Sequence, residues 1–125
     1  MKMYQKKPDQ YLKNQVMSAS PNKLIEMLME AGIKNIRLGV LALEMKQVVK
    51  AGEYFIKAQD IVSELRYSIN SEIESEIPDQ LIQLYDFMYN QLVIGNVDQD
   101  IQVLQDVQKM LTELLETWKE LTEQQ

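Results

Sequence analysis

A chain of 125 residues with 46% hydrophobic and 26% charged side chains can bury one core but not two, and its composition is that of an ordered domain. A formal charge of −6 and an isoelectric point near 4.7 leave no general basic face for nucleic acid or an anionic membrane. The absence of cysteine excludes disulfides and thiolate sites, and the absence of histidine excludes histidine phosphotransfer, His-containing di-metal bundles and every His-based triad.

Only three prolines and four glycines interrupt long stretches of helix formers, which predicts an all-α fold. No apolar run has the length of a signal peptide or a membrane span, so the expected location is the cytoplasm, without membrane insertion.

Residues 1–19 are polar and locally basic, with Lys2, Lys6, Lys7 and Pro8 among scattered Tyr4, Tyr11, Val16 and Met17. They read either as a mobile N-terminal arm able to lie against its own acidic body or as a frayed terminus. Ser20-Pro21 then starts a helix, Ser20 as N-cap and Pro21 in the first turn, where its missing N–H costs nothing. This first helix is expected over 21–46, with Leu24, Leu28, Ile36 and Leu43 on one line and Ile25, Met29, Ile33 and Val40 on another. Gly32 and Gly39 lie on one side of it. Each costs about 1 kcal/mol in helix propensity, which a close helix crossing would offset.

Ala51-Gly52-Glu53 is expected to form the first turn, and a second helix to run over 53–71. Its stripe of Phe55, Ala58, Val62, Leu65 and Ile69 is the most regular in the chain. A third helix is expected from Pro78 to Ile94 (78–94), burying Leu81, Leu84, Tyr85, Met88 and Leu92, with Gly95-Asn96 as a left-handed stop. The fourth, over 98–122, buries Ile101, Leu104, Leu111, Leu115 and Trp118. Short connections make consecutive helices antiparallel, which gives an antiparallel four-helix bundle over 20–125.

The third and fourth helices are apolar on a second side. Ile82, Tyr89 and Val93 on the third, and Val103, Val107, Met110, Leu114 and Leu121 on the fourth, signify either deeper burial or a groove for an apolar partner helix. Eight methionines suit a surface that accepts helices of varied sequence, and they also fill cores. We take Ile82, Tyr89, Val93, Val103, Val107 and Met110 as partner-binding candidates, with the outward Ile56 of the second helix beside them. Glu72, Glu74, Glu76 and Asp79 lack calcium-loop spacing and read as a solvated turn. With no phosphate-binding glycine loop and no nucleophile beside a base, neither an enzyme, a metal site nor a cofactor is expected.

The run Lys57-Ala58-Gln59-Asp60-Ile61-Val62-Ser63-Glu64-Leu65, the run Leu84-Tyr85-Asp86-Phe87-Met88, the opening from Tyr11 through Asn14-Gln15-Val16 to Ser20-Pro21, and the closing Leu115-Glu116-Thr117-Trp118 resemble the flagellar secretion chaperone family, FliS. Where the family commonly has Leu-Tyr-Asp-Gly in its first helix, this chain has Leu28-Met29-Glu30-Ala31, and Asn70 with Glu74-Ser75 replaces its Asp and Gly-Gly after the second.

The resemblance implies a cytoplasmic, ATP-independent chaperone that binds the helical C-terminal region of flagellin, prevents its polymerisation and delivers it to the flagellar type III export gate. A co-chaperone is a further partner that the resemblance implies. Tyr11, Val16 and Met17 would then act as an N-terminal cover over the empty groove, with Tyr11 as anchor. The alternative is a structural or regulatory bundle that self-associates through its second stripes without an export client. A monomer or a weak dimer is compatible with either.

Overall fold

The computed structural model describes residues 19–69 and 76–123. Four helices account for nearly all of them: α1 (Pro21–Glu44), α2 (Val48–Tyr67), α3 (Glu76–Asp98) and α4 (Ile101–Glu123). The expected arm, with Tyr11, Val16 and Met17, lies outside the described residues, as does the segment 70–75.

The start of α1 follows from its sequence. The Ser20 hydroxyl accepts a hydrogen bond from the Lys23 amide at 3.2 Å, and Pro21 occupies the first helical position. The first turn differs from expectation. Ala51-Gly52-Glu53 lies inside α2, and the chain reverses at Met45-Lys46-Gln47. Here the Lys46 amide donates to the Leu43 carbonyl and the Gln47 amide to the Ala42 carbonyl, while Lys46 adopts a φ of 62°. That is a Schellman ending with lysine in the left-handed position usually held by glycine.

The same device ends α3. Gln99 has a φ of 53°, its amide donates to the Asn96 carbonyl, and the Asp100 amide donates to the Gly95 carbonyl. Gly95 is therefore no left-handed stop. It is a buried helical residue, and α3 runs on to Asp98. A Cβ on Gly95 would fall 2.8 Å from Leu104 Cγ, so this glycine serves the close approach of α3 to α4.

The helices form a closed ring in which α1 packs on α2 and α4, and α3 packs on the same two. Facing pairs give the directions. Gly39 meets Phe55 and Gly32 meets Ile61 across α1 and α2; Gly52 meets Asn96 and Arg66 meets Asp86 across α2 and α3. Early residues of one helix thus oppose late residues of the next, an antiparallel arrangement. Phe55, Ala58, Val62 and Leu65 are fully buried in the centre with Met29, Ile36, Met88, Leu92, Leu104 and Leu111. The ring of Phe55 lies directly over Gly39, where a Cβ would come within 2.4 Å of it.

Candidate partner-binding site

The ends of the bundle differ. At the end holding both short turns, Gly95 lets α3 and α4 touch backbone to side chain. At the other end neither helix has a glycine, and the four helices surround an apolar cavity of about 980 Å³. α1 contributes Leu24, Ile25, Leu28 and Met29; α3 contributes Pro78, Leu81, Leu84 and Tyr85; α4 contributes Leu114, Trp118 and Leu121; Tyr67 and Ile69 close the α2 side. Most of these side chains are half-buried, whereas Tyr67 and Leu121 stand exposed at the mouth, at 75% and 58%.

Trp118 anchors the wall. Its indole N–H donates to the Asn22 carbonyl at 3.0 Å, joining the last turns of α4 to the first turn of α1. Lys119 and Glu30 approach to 3.7 Å along the same seam, an exposed pair worth little by itself. Among the described residues of the lining, Glu64 is the one carboxylate, and no lysine or arginine joins it. Tyr85, buried between the cavity and α2, has its phenol pushed up to about 12 by desolvation. Among its described residues the wall has no nucleophile paired with a base. Its chemistry is the burial of apolar side chains, and its size suits several of them from an amphipathic helix. Among the described residues, no group of three or more acidic side chains is placed to hold a metal ion.

The structure divides the predicted contact residues into three sets. Tyr89 lies in a small cleft between α2 and α3, with Val62, Ser63, Tyr67, Tyr85 and the Arg66–Asp86 ion pair, whose Nε to Oδ1 distance is 3.0 Å. Ile82 and Val93 share that side of α3 by helical spacing, and Ile56, 52% exposed, is one turn after Gly52 on the facing side of α2. Val103 and Met110 belong instead to α4; Val103 lies against Gly95, and Met110 packs on the core. Val107 is fully buried in that core and is no surface contact, since α4 turns it inward with Leu104 and Leu111.

None of these seven residues lines the large cavity. Leu28, Leu81, Leu84 and Trp118, which do, belong to stripes that periodicity assigns to the core. Periodicity identifies the inward side of each helix but not the place where the helices part, so no signal in one sequence separates a core leucine from a cavity leucine.

A sequence profile of the family described as "Flagellar protein FliS" matches residues 3–125. The chain is similar to the flagellar secretion chaperone FliS of Vibrio cholerae, 35% identical over 86% of this chain and 79% of that protein. The FliS of Salmonella typhimurium is 36% identical over 86% of this chain and 80% of that protein, and the FliS of Bacillus subtilis 34% identical over 88% and 81%.

Proposed function

The chain belongs to the FliS family of flagellar secretion chaperones, and on that premise we propose that it binds the helical C-terminal region of flagellin in the cytoplasm, holds it back from polymerising and delivers it to the flagellar type III export apparatus. The observation that carries this reading is the open apolar cavity at one end of the bundle. An amphipathic client helix exposes an apolar stripe that drives self-association, and an apolar recess on a chaperone can cover it. From the cavity the second stripe of α4 continues through Leu114 and Met110 to Val103, and it extends the docking surface along the bundle. Ile82, Tyr89, Val93 and Ile56 offer a further strip on the α2 and α3 side. Pro21 and Asn22 line the cavity, and Tyr11, Val16 and Met17, a few residues before them in the sequence, are the cover in this reading, competing with the client at high effective concentration. Export-gate components and a co-chaperone are the remaining partners of this reading.

Trp118, the only tryptophan in the chain, stands in the cavity wall and reports on occupancy. Titration with a flagellin C-terminal peptide should shift its emission to the blue and saturate at one peptide per chain. Leu121→Asp, at the exposed mouth, should weaken that binding roughly tenfold or more while the bundle still melts cooperatively. Absence of peptide binding, or wild-type affinity in the Leu121 variant, would refute the assignment of the cavity.

A further inference from the structure

The cavity wall is built from apolar side chains, aromatic rings and a few uncharged polar groups, and among its described residues Glu64 of α2 alone carries a charge. Ile61, one turn earlier, faces Gly32 of α1, so Glu64 stands exposed at the α1–α2 edge of the mouth.

The fold gains nothing from this carboxylate. It lies in the last turn of α2, where the negative end of the helix dipole opposes it. Among the described residues, no ion pair or hydrogen bond engages it. The cations on the helix segments around the cavity are directed elsewhere, Lys23 to Glu26, Arg66 to Asp86 and Lys119 to Glu30. The neighbouring Ser68 hydroxyl is also engaged, donating to the Leu65 carbonyl at 2.6 Å. A purely apolar segment that sealed the mouth would strip water from Glu64 and leave it without a partner, which opposes docking; a segment that brings a cation to this edge removes the penalty.

We propose that Glu64 selects the charge and fixes the direction of the docked client, pairing with a lysine or arginine that flanks the apolar stripe of a cationic amphipathic helix. The inference rests on the reading of the cavity as the client site. Direction follows because the carboxylate occupies one corner only. α2 and α4 lie diagonally across the ring, and the stripe that leaves the cavity along the bundle starts on α4 at Leu114. With neighbouring helix axes about 8–10 Å apart, that diagonal is roughly 11–14 Å, or about 7–10 residues of helix. The client's cation therefore lies about two to three turns from the residue that packs on Leu114. A client docked in reverse would set an uncharged turn against Glu64.

The test is titration of the full chain, followed by Trp118 emission, with two designed amphipathic helices and with the flagellin C-terminal peptide. The designed pair shares a leucine stripe and differs at one flanking position, lysine in one and glutamine in the other. The wild type should bind the lysine peptide about three- to fivefold more tightly, and Glu64→Gln should erase that preference. Asp60→Asn removes an equal charge one turn earlier on α2, outside the cavity lining, and should preserve it. Melts should show Glu64→Gln at least as stable as the wild type, since the dipole disfavours the native charge. In the flagellin peptide, exchange of the basic residues for glutamine one at a time should reveal one whose effect vanishes in Glu64→Gln.

Failure of both designed peptides to bind, a preference that survives Glu64→Gln, or an equal loss in Asp60→Asn would overturn the proposal. So would a flagellin peptide that binds without any basic residue coupled to Glu64. A flagellin peptide that fails to bind, beside a lysine peptide whose preference depends on Glu64, would refute flagellin as the client and uphold the charge selection.

Discussion

Gly39 and Phe55 meet where α1 and α2 come closest, and the contact has no slack. A Cβ at position 39 would lie 2.4 to 2.8 Å from three atoms of the phenyl ring, which is fully buried and cannot swing aside. At Gly32 the added carbon would meet the end of a flexible side chain, Leu111 Cδ2, at 2.9 Å. Alanine brings about 1 kcal/mol of helix propensity to either site. At position 32 that gain should offset the small shift required of Leu111, leaving stability nearly unchanged. At position 39 overpacking should prevail, with a net loss of about 1–3 kcal/mol. Urea denaturation of Gly32→Ala and Gly39→Ala checks the contrast; equal effects would show that the crossing relaxes more easily than this packing implies.

At the scale of the helix, both endings at the turn end use a left-handed residue that is not glycine. Lys46 and Gln99 each bear the steric cost of that conformation, about 1–2 kcal/mol, so that the Gln47 and Asp100 amides can close back on the Ala42 and Gly95 carbonyls. Gln99→Gly should remove that strain at a smaller cost in unfolded-chain entropy and raise stability by roughly 0.5–1 kcal/mol, visible as a higher melting temperature. A lower melting temperature would mean that the Gln99 side chain contributes to the turn. These two endings also explain the misplaced boundaries. Glycine is the usual mark of a helix end, so Gly52 and Gly95 read as breaks. In the fold both lie within helices, Gly52 beside Asn96 and Gly95 against Leu104.

For the whole molecule, the buried phenol of Tyr85 couples folding to alkaline pH. Its folded value of about 12 lies above the ordinary 10, so the unfolded chain loses this proton first as pH rises. The stabilising contribution is complete below pH 10 and is lost as pH climbs through about 12, a change on the order of 2 kcal/mol. Tyr85→Phe keeps the ring and removes the proton. Its stability should fall less than that of the wild type between pH 10 and 12, and parallel pH profiles would show that other groups govern alkaline unfolding. Because Tyr85 borders both the cavity and the α2–α3 cleft, the same variant reports whether its hydroxyl matters to client binding at neutral pH.

The sequence by itself determined the helical class, the four helices in their order, the Ser20 cap, the central stripe of α2 and the family. Each is a local or periodic property: apolar side chains three and four apart must face one another's neighbours, and a serine before a proline can satisfy the first amides of a helix. The role of Gly32 and Gly39 at a close crossing was legible for the same reason. Tertiary structure decided where the second stripes go. It turned Val107 into the core, put Tyr89 in the α2–α3 cleft and left Leu81, Leu114 and Trp118 lining an open end. A periodic pattern records which side of a helix is apolar. Whether that side meets another helix or an open space depends on how four helices diverge along their length, and that is set by contacts such as Gly95 with Leu104 between residues on different elements.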